Sequence, residues 1–288
     1  MERHTKSYLR LMKPGITVSN TLSGVAGFML AASMIAFDVW AFIGAIGGIA
    51  LVIASACVAN NVLDRDIDKQ MKRTTSRGVA SGDISVGNAL LFCAVLGIAG
   101  FLLLAFLTNP LTTWLGVVAF IWYVAIYGIA KRTTALSTII GGVAGSLPPV
   151  AGYTALTGRI DLAAISLFAV LFFWQLPHFY AISMFRKDDY TSAKLPVWAA
   201  KYGMKSTKFQ IMLTTVLYGI STILLTLFGY TGIIYLVLSL VLAGYWIYKG
   251  VSLYKTTGYV KWARTMFGVS LMTLLLQLTF ISVGGFLP

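Results

Sequence analysis

ISVGNALLFCAVLGIAGFLLLAFLTNPLTTWLGVVAFIWYVAIYGIA, residues 84–130, holds no Asp, Glu, Lys or Arg from end to end. A membrane-spanning helix needs roughly 20 apolar residues, so this run holds two, and Thr108-Asn109-Pro110 has the composition of the turn between them. Outward from it lie six more charge-free runs: 14–37, 39–63, 133–158, 162–185, 209–248 and 265–288. The run 209–248 also holds a pair, broken at Phe228-Gly229-Tyr230-Thr231-Gly232. The reading is an all-α polytopic membrane protein of nine helices in one bundle, a single domain over 1–288. The helices are expected at 15–36, 39–61, 86–107, 111–130, 135–156, 162–184, 209–228, 232–249 and 265–286. The first run lacks a small-residue cleavage site and is expected to remain as a span.

Composition agrees. Of 288 residues 58% are hydrophobic and 11% charged, with a mean hydropathy of +0.83. Soluble domains carry about 25% charged residues, so a soluble enzyme is excluded. The net charge of +13 is not spread evenly. Every Lys and Arg except Arg159 falls in the N-terminal tail or after an even-numbered span. The positive-inside rule then places the N-terminus in the cytoplasm and the C-terminus outside, in an inner membrane, with no nucleic-acid partner implied. Cys57 and Cys93 lie in apolar runs without disulfide, zinc or haem-attachment spacing.

The loop after the second span reads Asn60-Asn61-Val-Leu-Asp64-Arg-Asp66-Ile-Asp68, then Lys72, Arg73 and Arg77. If the helix continues at about 100° per residue, Asp68 lies near +40° from Asp64, Asn60 near −40° and Asn61 near +60°. Asp66 falls on the far side. Oxygen-only ligands on one face suit a hard cation, and Mg²⁺ bridging carboxylates and a diphosphate is the common arrangement. Lys72, Arg73 and Arg77 would neutralise further phosphate oxygens. The bland alternative is a solvated loop whose acids pair with Arg65, Lys69 and Lys72.

Four spans further on, a second charged loop follows Trp174-Gln175-Leu-Pro177-His178, with Arg186, Asp188, Asp189 and Tyr190. A duplicated four-helix unit would give that spacing, though the halves share little sequence. His178 is one of two histidines, the other being His4 in the tail. A histidine inside a span is costly and suggests function. It could equally satisfy backbone carbonyls freed by Pro177. The fifth span carries Gly141, Gly142, Gly145, Pro148, Pro149 and Gly152, which implies close packing and a kink.

With these residues in view, the chain resembles the UbiA-type intramembrane prenyltransferase superfamily, whose mark is an Asn/Asp-rich motif after the second helix. Trp174-Gln175-Leu176-Pro177-His178-Phe179, Leu195-Pro196-Val197, Tyr127 with Lys131-Arg132, and Gly145-Ser-Leu-Pro148-Pro149 narrow the likeness to the branch that farnesylates haem B. The resemblance implies farnesyl diphosphate and haem B as substrates, Mg²⁺ as cofactor, and the lipid bilayer as surroundings. Metal ligation is implied for Asn60, Asn61, Asp64 and Asp68, and catalysis for Asp64, Asp68, Asn61 and Arg186. Diphosphate binding falls to Lys72, Arg73, Arg77, Lys131 and Arg132, and haem binding to His178, Trp174, Asp189 and Tyr190. A haem A synthase or a terminal-oxidase assembly protein is the partner to test for. Two departures stand out: Asn61 where relatives usually have Asp, and only Asp188 and Asp189 in place of a second multi-Asp motif. One firmly held Mg²⁺ is therefore expected.

Three rivals remain at this level. A transporter would show no Mg²⁺-dependent diphosphate release. A superfamily member with another aromatic or tetrapyrrole acceptor would differ in product mass. An oxidase-assembly protein would form no product.

Overall fold

The computed structural model describes residues 2–255 and 258–288, with side chains from Lys6 onward; those of Arg3 and His4 lie outside the described ones. Among the described residues all regular structure is helical. The elements are α1 (Glu2–Leu11), α2 (Pro14–Ala32), α3 (Val39–Leu63), α4 (Arg65–Gln70), α5 (Val86–Leu107), α6 (Pro110–Ile121), α7 (Tyr127–Thr133), α8 (Ser137–Gly145) and α9 (Leu147–Thr157). There follow α10 (Leu162–Phe185), α11 (Lys187–Ser192), α12 (Trp198–Lys201), α13 (Gly203–Leu227), α14 (Ile233–Ser252) and α15 (Tyr259–Gly284). Nine segments among them are long and apolar enough to cross a membrane; α6–α7 and α8–α9 each count as one.

Caps mark where the spans begin. Asp38 accepts from the Trp40 and Ala41 N–H groups at 2.8 and 3.1 Å, and Asp161 from those of Ala163 and Ala164 at 3.0 and 3.3 Å. These two acids at the sparsely charged end therefore act as helix N-caps, satisfying amides that lipid cannot. Asn109 caps α6 through the Thr112 N–H at 3.0 Å, with Pro110 at the first helical position, where its missing N–H costs nothing.

Three local departures from regular helix matter for the site. The second span stops at Leu63; Asp64 (φ −93°, ψ 6°) is a joint, and α4 restarts at Arg65. The Asp68 N–H still donates to the Asp64 carbonyl at 2.8 Å, so the turn is bent rather than unwound. The fourth span carries a π-helical turn over Trp122–Ile126. The fifth breaks at Ser146, ahead of Pro148-Pro149, as the proline pair implied. Gln175 bridges that break, donating to the Gly142 carbonyl at 2.7 Å and to Ser146 Oγ at 2.8 Å.

α2 and α9 approach backbone to backbone. A Cβ placed on Gly152 would stand 1.9 Å from the Gly24 carbonyl oxygen, and one on Gly27 at 1.9 Å from that of Pro149. Only glycine permits this contact, which anchors the first span across the molecule's middle. A large apolar core joins α10 with α13, α14 and α15 around Trp246, Trp262, Tyr218 and Tyr180. α5 and α6 bury few residues and present Phe106, Trp114, Leu91 and Ile121 outward, the expected face toward acyl chains.

Candidate active site

The motif after α3 meets partners from three other elements. The Asp64 carboxylate pairs with the Lys131 ammonium from α7, and its Oδ1 lies 3.7 Å from Arg132. Arg77 Nη1 donates to both Asp68 oxygens at 2.8 Å. Asp66, exposed on the far side as the helical angles expected, takes the Arg132 guanidinium by a two-nitrogen fork at 2.8 Å each. Arg132 also donates to the Leu63 carbonyl at 2.7 Å. This fork holds the Asp66 carboxyl down to about 2. Cations brought in by the fold, rather than Arg65, Lys69 and Lys72, thus balance the acids.

Asn60 and Asn61 sit one turn earlier, both buried. Asn61 Nδ2 donates to the Leu11 and Cys57 carbonyls at 2.8 and 2.9 Å, which ties the motif to the end of α1. Asn60 Oδ1 accepts from Lys13 Nζ at 2.6 Å. Lys13 reaches it from a left-handed backbone (φ 50°) just before Pro14, and burial pulls its ammonium down to about 8. In the sequence this lysine reads as one more topological charge.

Three buried polar atoms of the motif have no hydrogen-bond partner: Asn60 Nδ2, Asn61 Oδ1 and Asp64 Oδ1. Buried acceptors are almost always satisfied, so two orphaned oxygens on neighbouring turns are a fit for a hard cation. Among the described residues no three His, Cys, Asp or Glu side chains converge to hold a metal, so the Asn61 amide oxygen would have to complete the set.

The second charged loop closes over the first. Ser192 Oγ donates to the Gln70 carbonyl at 3.2 Å, and Ile67 and Met71 pack with Ala193, Tyr190 and Leu195. Burial pushes the Tyr190 phenol up, and the charges of Arg73, Asp189, Arg77 and Arg186 all act on it. Arg186 itself lies 3.8 Å from Asp189, and Lys72 is exposed on the loop. Lys13, Tyr123, Tyr127 and Tyr190 are each half-buried. Tyr123 and Tyr127 stack at 5.5 Å beside Lys131, whose Nζ lies 5.3 Å from the Tyr127 ring. The two tyrosines straddle the end of the π-helical turn, a distortion common at functional sites.

His178 is placed elsewhere, between α10 and α15. Its ring lies against Trp174 (5.0 Å, 27°) and Phe267 (4.8 Å, 32°), and Nδ1 is 2.7 Å from Ser270 Oγ. Its partner is therefore a side chain on another span and not a carbonyl freed by Pro177. Trp174 Nε1 donates to the Ser270 carbonyl at 2.9 Å, so both residues of the pair lean on the ninth span.

Comparison with known proteins agrees with this architecture. The UbiA prenyltransferase family matches residues 21–275. A protoheme IX farnesyltransferase of Salmonella arizonae is 42% identical over 284 residues, covering 98% of this chain and 96% of its own. Another, from Escherichia coli O1:K1, is 41% identical over the same length. Among solved structures, a digeranylgeranylglyceryl phosphate synthase superposes with a TM-score of 0.80 at 21% identity, covering 99% of each chain. A UbiA homologue from Archaeoglobus fulgidus bound to GPP and Mg²⁺ gives 0.73 at 16% identity, covering 96% of this chain and all of the other.

Proposed function

Since the chain belongs to the UbiA prenyltransferase family, we propose that it transfers the farnesyl group of farnesyl diphosphate to a vinyl group of haem B, with addition of water, releasing diphosphate and haem O. The observation that carries the site assignment is the pair of orphaned oxygens, Asn61 Oδ1 and Asp64 Oδ1, beside two carboxylates already balanced by Lys131 and Arg77.

Asp64, Asp68 and Asn61 would hold Mg²⁺; the Asn60 oxygen is taken by Lys13, and its unpartnered Nδ2 is a donor that cannot ligate a cation. When bound, the ion supplies Lewis-acid charge to the leaving diphosphate. The chain's own part is positional. Lys131, Arg77, Lys13 and Arg73 would gather fixed positive charge around the motif, which stabilises a departing diphosphate most where water is scarce. The allylic C–O bond breaks with its electron pair leaving on diphosphate. The farnesyl cation then adds to the terminal vinyl carbon. Water attacks the resulting cation beside the macrocycle and gives up a proton, leaving a hydroxyl. Tyr123, Tyr127 and Tyr190 present π faces and exclude bulk water while the cation exists. Arg132, committed to Asp66, acts by holding α7 in place. His178 and Trp174 form the haem-side wall, with Arg186, Asp189 and Tyr190 at its rim.

The charge distribution supports a cytoplasmic mouth in an inner membrane, with the N-terminus on that side. A haem that has gained a farnesyl tail stays in the bilayer, so a haem A synthase or terminal-oxidase assembly protein would receive it there. The test is purified protein with haem B, farnesyl diphosphate and Mg²⁺, followed by the mass of the haem. A mass unchanged from haem B, with folded protein, sinks the assignment; a different added mass identifies another donor. Asp64→Asn and Asp68→Asn should each abolish turnover while membrane insertion is retained.

A further inference from the structure

The hydrogen-bond geometry around His178 goes one step beyond its placement. Ser270 Oγ lies 2.7 Å from His178 Nδ1 and 2.6 Å from the carbonyl oxygen of Phe267, one turn back on α15. A carbonyl oxygen can only accept, so the single Ser270 hydroxyl proton goes to Phe267. The Ser270 oxygen must then accept from His178, which places the proton on Nδ1 and leaves Nε2 with a bare lone pair. Ring contacts hold that tautomer in plane: Trp174 lies against one side, Phe267 is tilted at 32° to the imidazole, and Phe179 stands edge-on at 5.2 Å. Trp174 is itself tied to the Ser270 carbonyl at 2.9 Å, so one residue of the ninth span fixes both rings. No carboxylate contacts the imidazole among the described residues, and Ser183, five residues along α10, donates to the Tyr180 carbonyl at 2.8 Å.

An imidazole with Nδ1–H donated to a fixed acceptor and Nε2 free is the arrangement that metal-ligating histidines adopt. We propose that Ser270 is a positioning residue that locks His178 with Nε2 presented as an axial ligand to the iron of the substrate haem. The inference rests on the haem-farnesylating function above. It adds how the macrocycle is held: iron on the α10–α15 side, through an imidazole whose orientation the ninth span fixes.

The test uses the full chain in lipid nanodiscs without farnesyl diphosphate, titrated with ferric haem B, and the resonance Raman spectrum of the reduced complex. Ser270→Ala should weaken haem B binding ~10-fold or more, the usual scale for losing a ligand's supporting hydrogen bond. It should also lower the iron–histidine stretching frequency. Ser270→Thr, which keeps the hydroxyl, should restore both. A role confined to packing would change thermal stability and leave that frequency where it is. Should Ser270→Ala fail to elute as folded protein, Ser270→Cys, a much weaker acceptor of similar volume, is read the same way. The proposal is overturned if Ser270→Ala binds haem B with unchanged affinity and frequency while His178→Ala loses the iron–histidine band; the farnesylation reading survives that result. It is also overturned if His178→Ala keeps the wild-type spectrum, which removes iron ligation itself. Absence of haem O formation by the wild type, in the separate product assay, would instead strike the function on which the proposal rests.

Discussion

Removing Arg77 tests whether the motif's carboxylates are held by the fold's own cations. Asp68 is 3% exposed and receives both of its strong contacts, at 2.8 Å, from one guanidinium nitrogen. Truncating one partner of a buried pair leaves an uncompensated charge and costs about 3–5 kcal/mol. The Arg77 side chain is 23% exposed, so water can reach that side and the low end, about 3 kcal/mol, applies. In an Asp68→Asn background no charge is stranded, and Arg77→Met should then cost only about 1 kcal/mol, the worth of an ordinary hydrogen bond. The difference is a coupling of about 2 kcal/mol, or roughly 30-fold in the unfolding equilibrium constant. The assay is reversible unfolding of the four proteins of the cycle in mixed micelles without Mg²⁺. A coupling below about 0.5 kcal/mol, the additivity expected of unconnected sites, would refute the reasoning. Adding Mg²⁺ with diphosphate should shrink the coupling, because a bound cation would take over part of Arg77's task.

Other outcomes follow from single contacts. Gly152→Ala places a Cβ 1.9 Å from the Gly24 carbonyl, where neither backbone can yield, and should lose at least about 3 kcal/mol. Gly128→Ala, with nothing within 4 Å, should be neutral or slightly stabilising; equal thermal stability of the two variants would contradict the close-packed α2–α9 contact. Asp161→Ala removes the α10 cap and the 2.8 Å bond from Tyr153 and should cost about 1–2 kcal/mol in the same unfolding assay. Lys13→Met leaves the buried Asn60 amide without any partner and should cost about 1–3 kcal/mol; an unchanged midpoint would show that water replaces the ammonium.

Much of this architecture is legible in the amino-acid order because lipid leaves the backbone few choices. Turns at Asn109-Pro110 and Phe228-Gly229 separate paired spans, since a charge-free run longer than one bilayer crossing must fold back. The approach of Asp64, Asp68, Lys131 and Arg77 was anticipated only as a set of residue types with opposite charge. Which cation meets which acid depends on the joint at Asp64 and on where α7 ends, neither of which has a periodic signature. The break at Ser146 was announced by two prolines, whereas the π-helical turn at Trp122–Ile126 has no proline or glycine to announce it. Lys13 reads in the sequence as topological charge like its basic neighbours; its left-handed backbone, invisible in sequence, accompanies its reach to Asn60. The start of α13 at Gly203 and of α15 at Tyr259 runs ahead of the charge-free stretches, since Lys205, Lys261 and Arg264 stay exposed while Lys208 is buried against the Tyr254, Tyr259 and Trp262 rings.

The span made of α6 and α7 buries only Thr112, Gly116 and Ala130, while at its end Lys131 and Arg132 grip Asp64, Asp66 and the Leu63 carbonyl. Charge balance and mechanical fastening are consequently one and the same at this corner. A diphosphate that draws Lys131 off Asp64 also releases a clasp, and at that corner the end of the fourth span is then fastened to the motif by Arg132. Anion arrival and wall movement become two readings of a single equilibrium, so a probe of helix distance, such as a spin-label pair on α3 and α7, would titrate with substrate even in an enzyme unable to turn over.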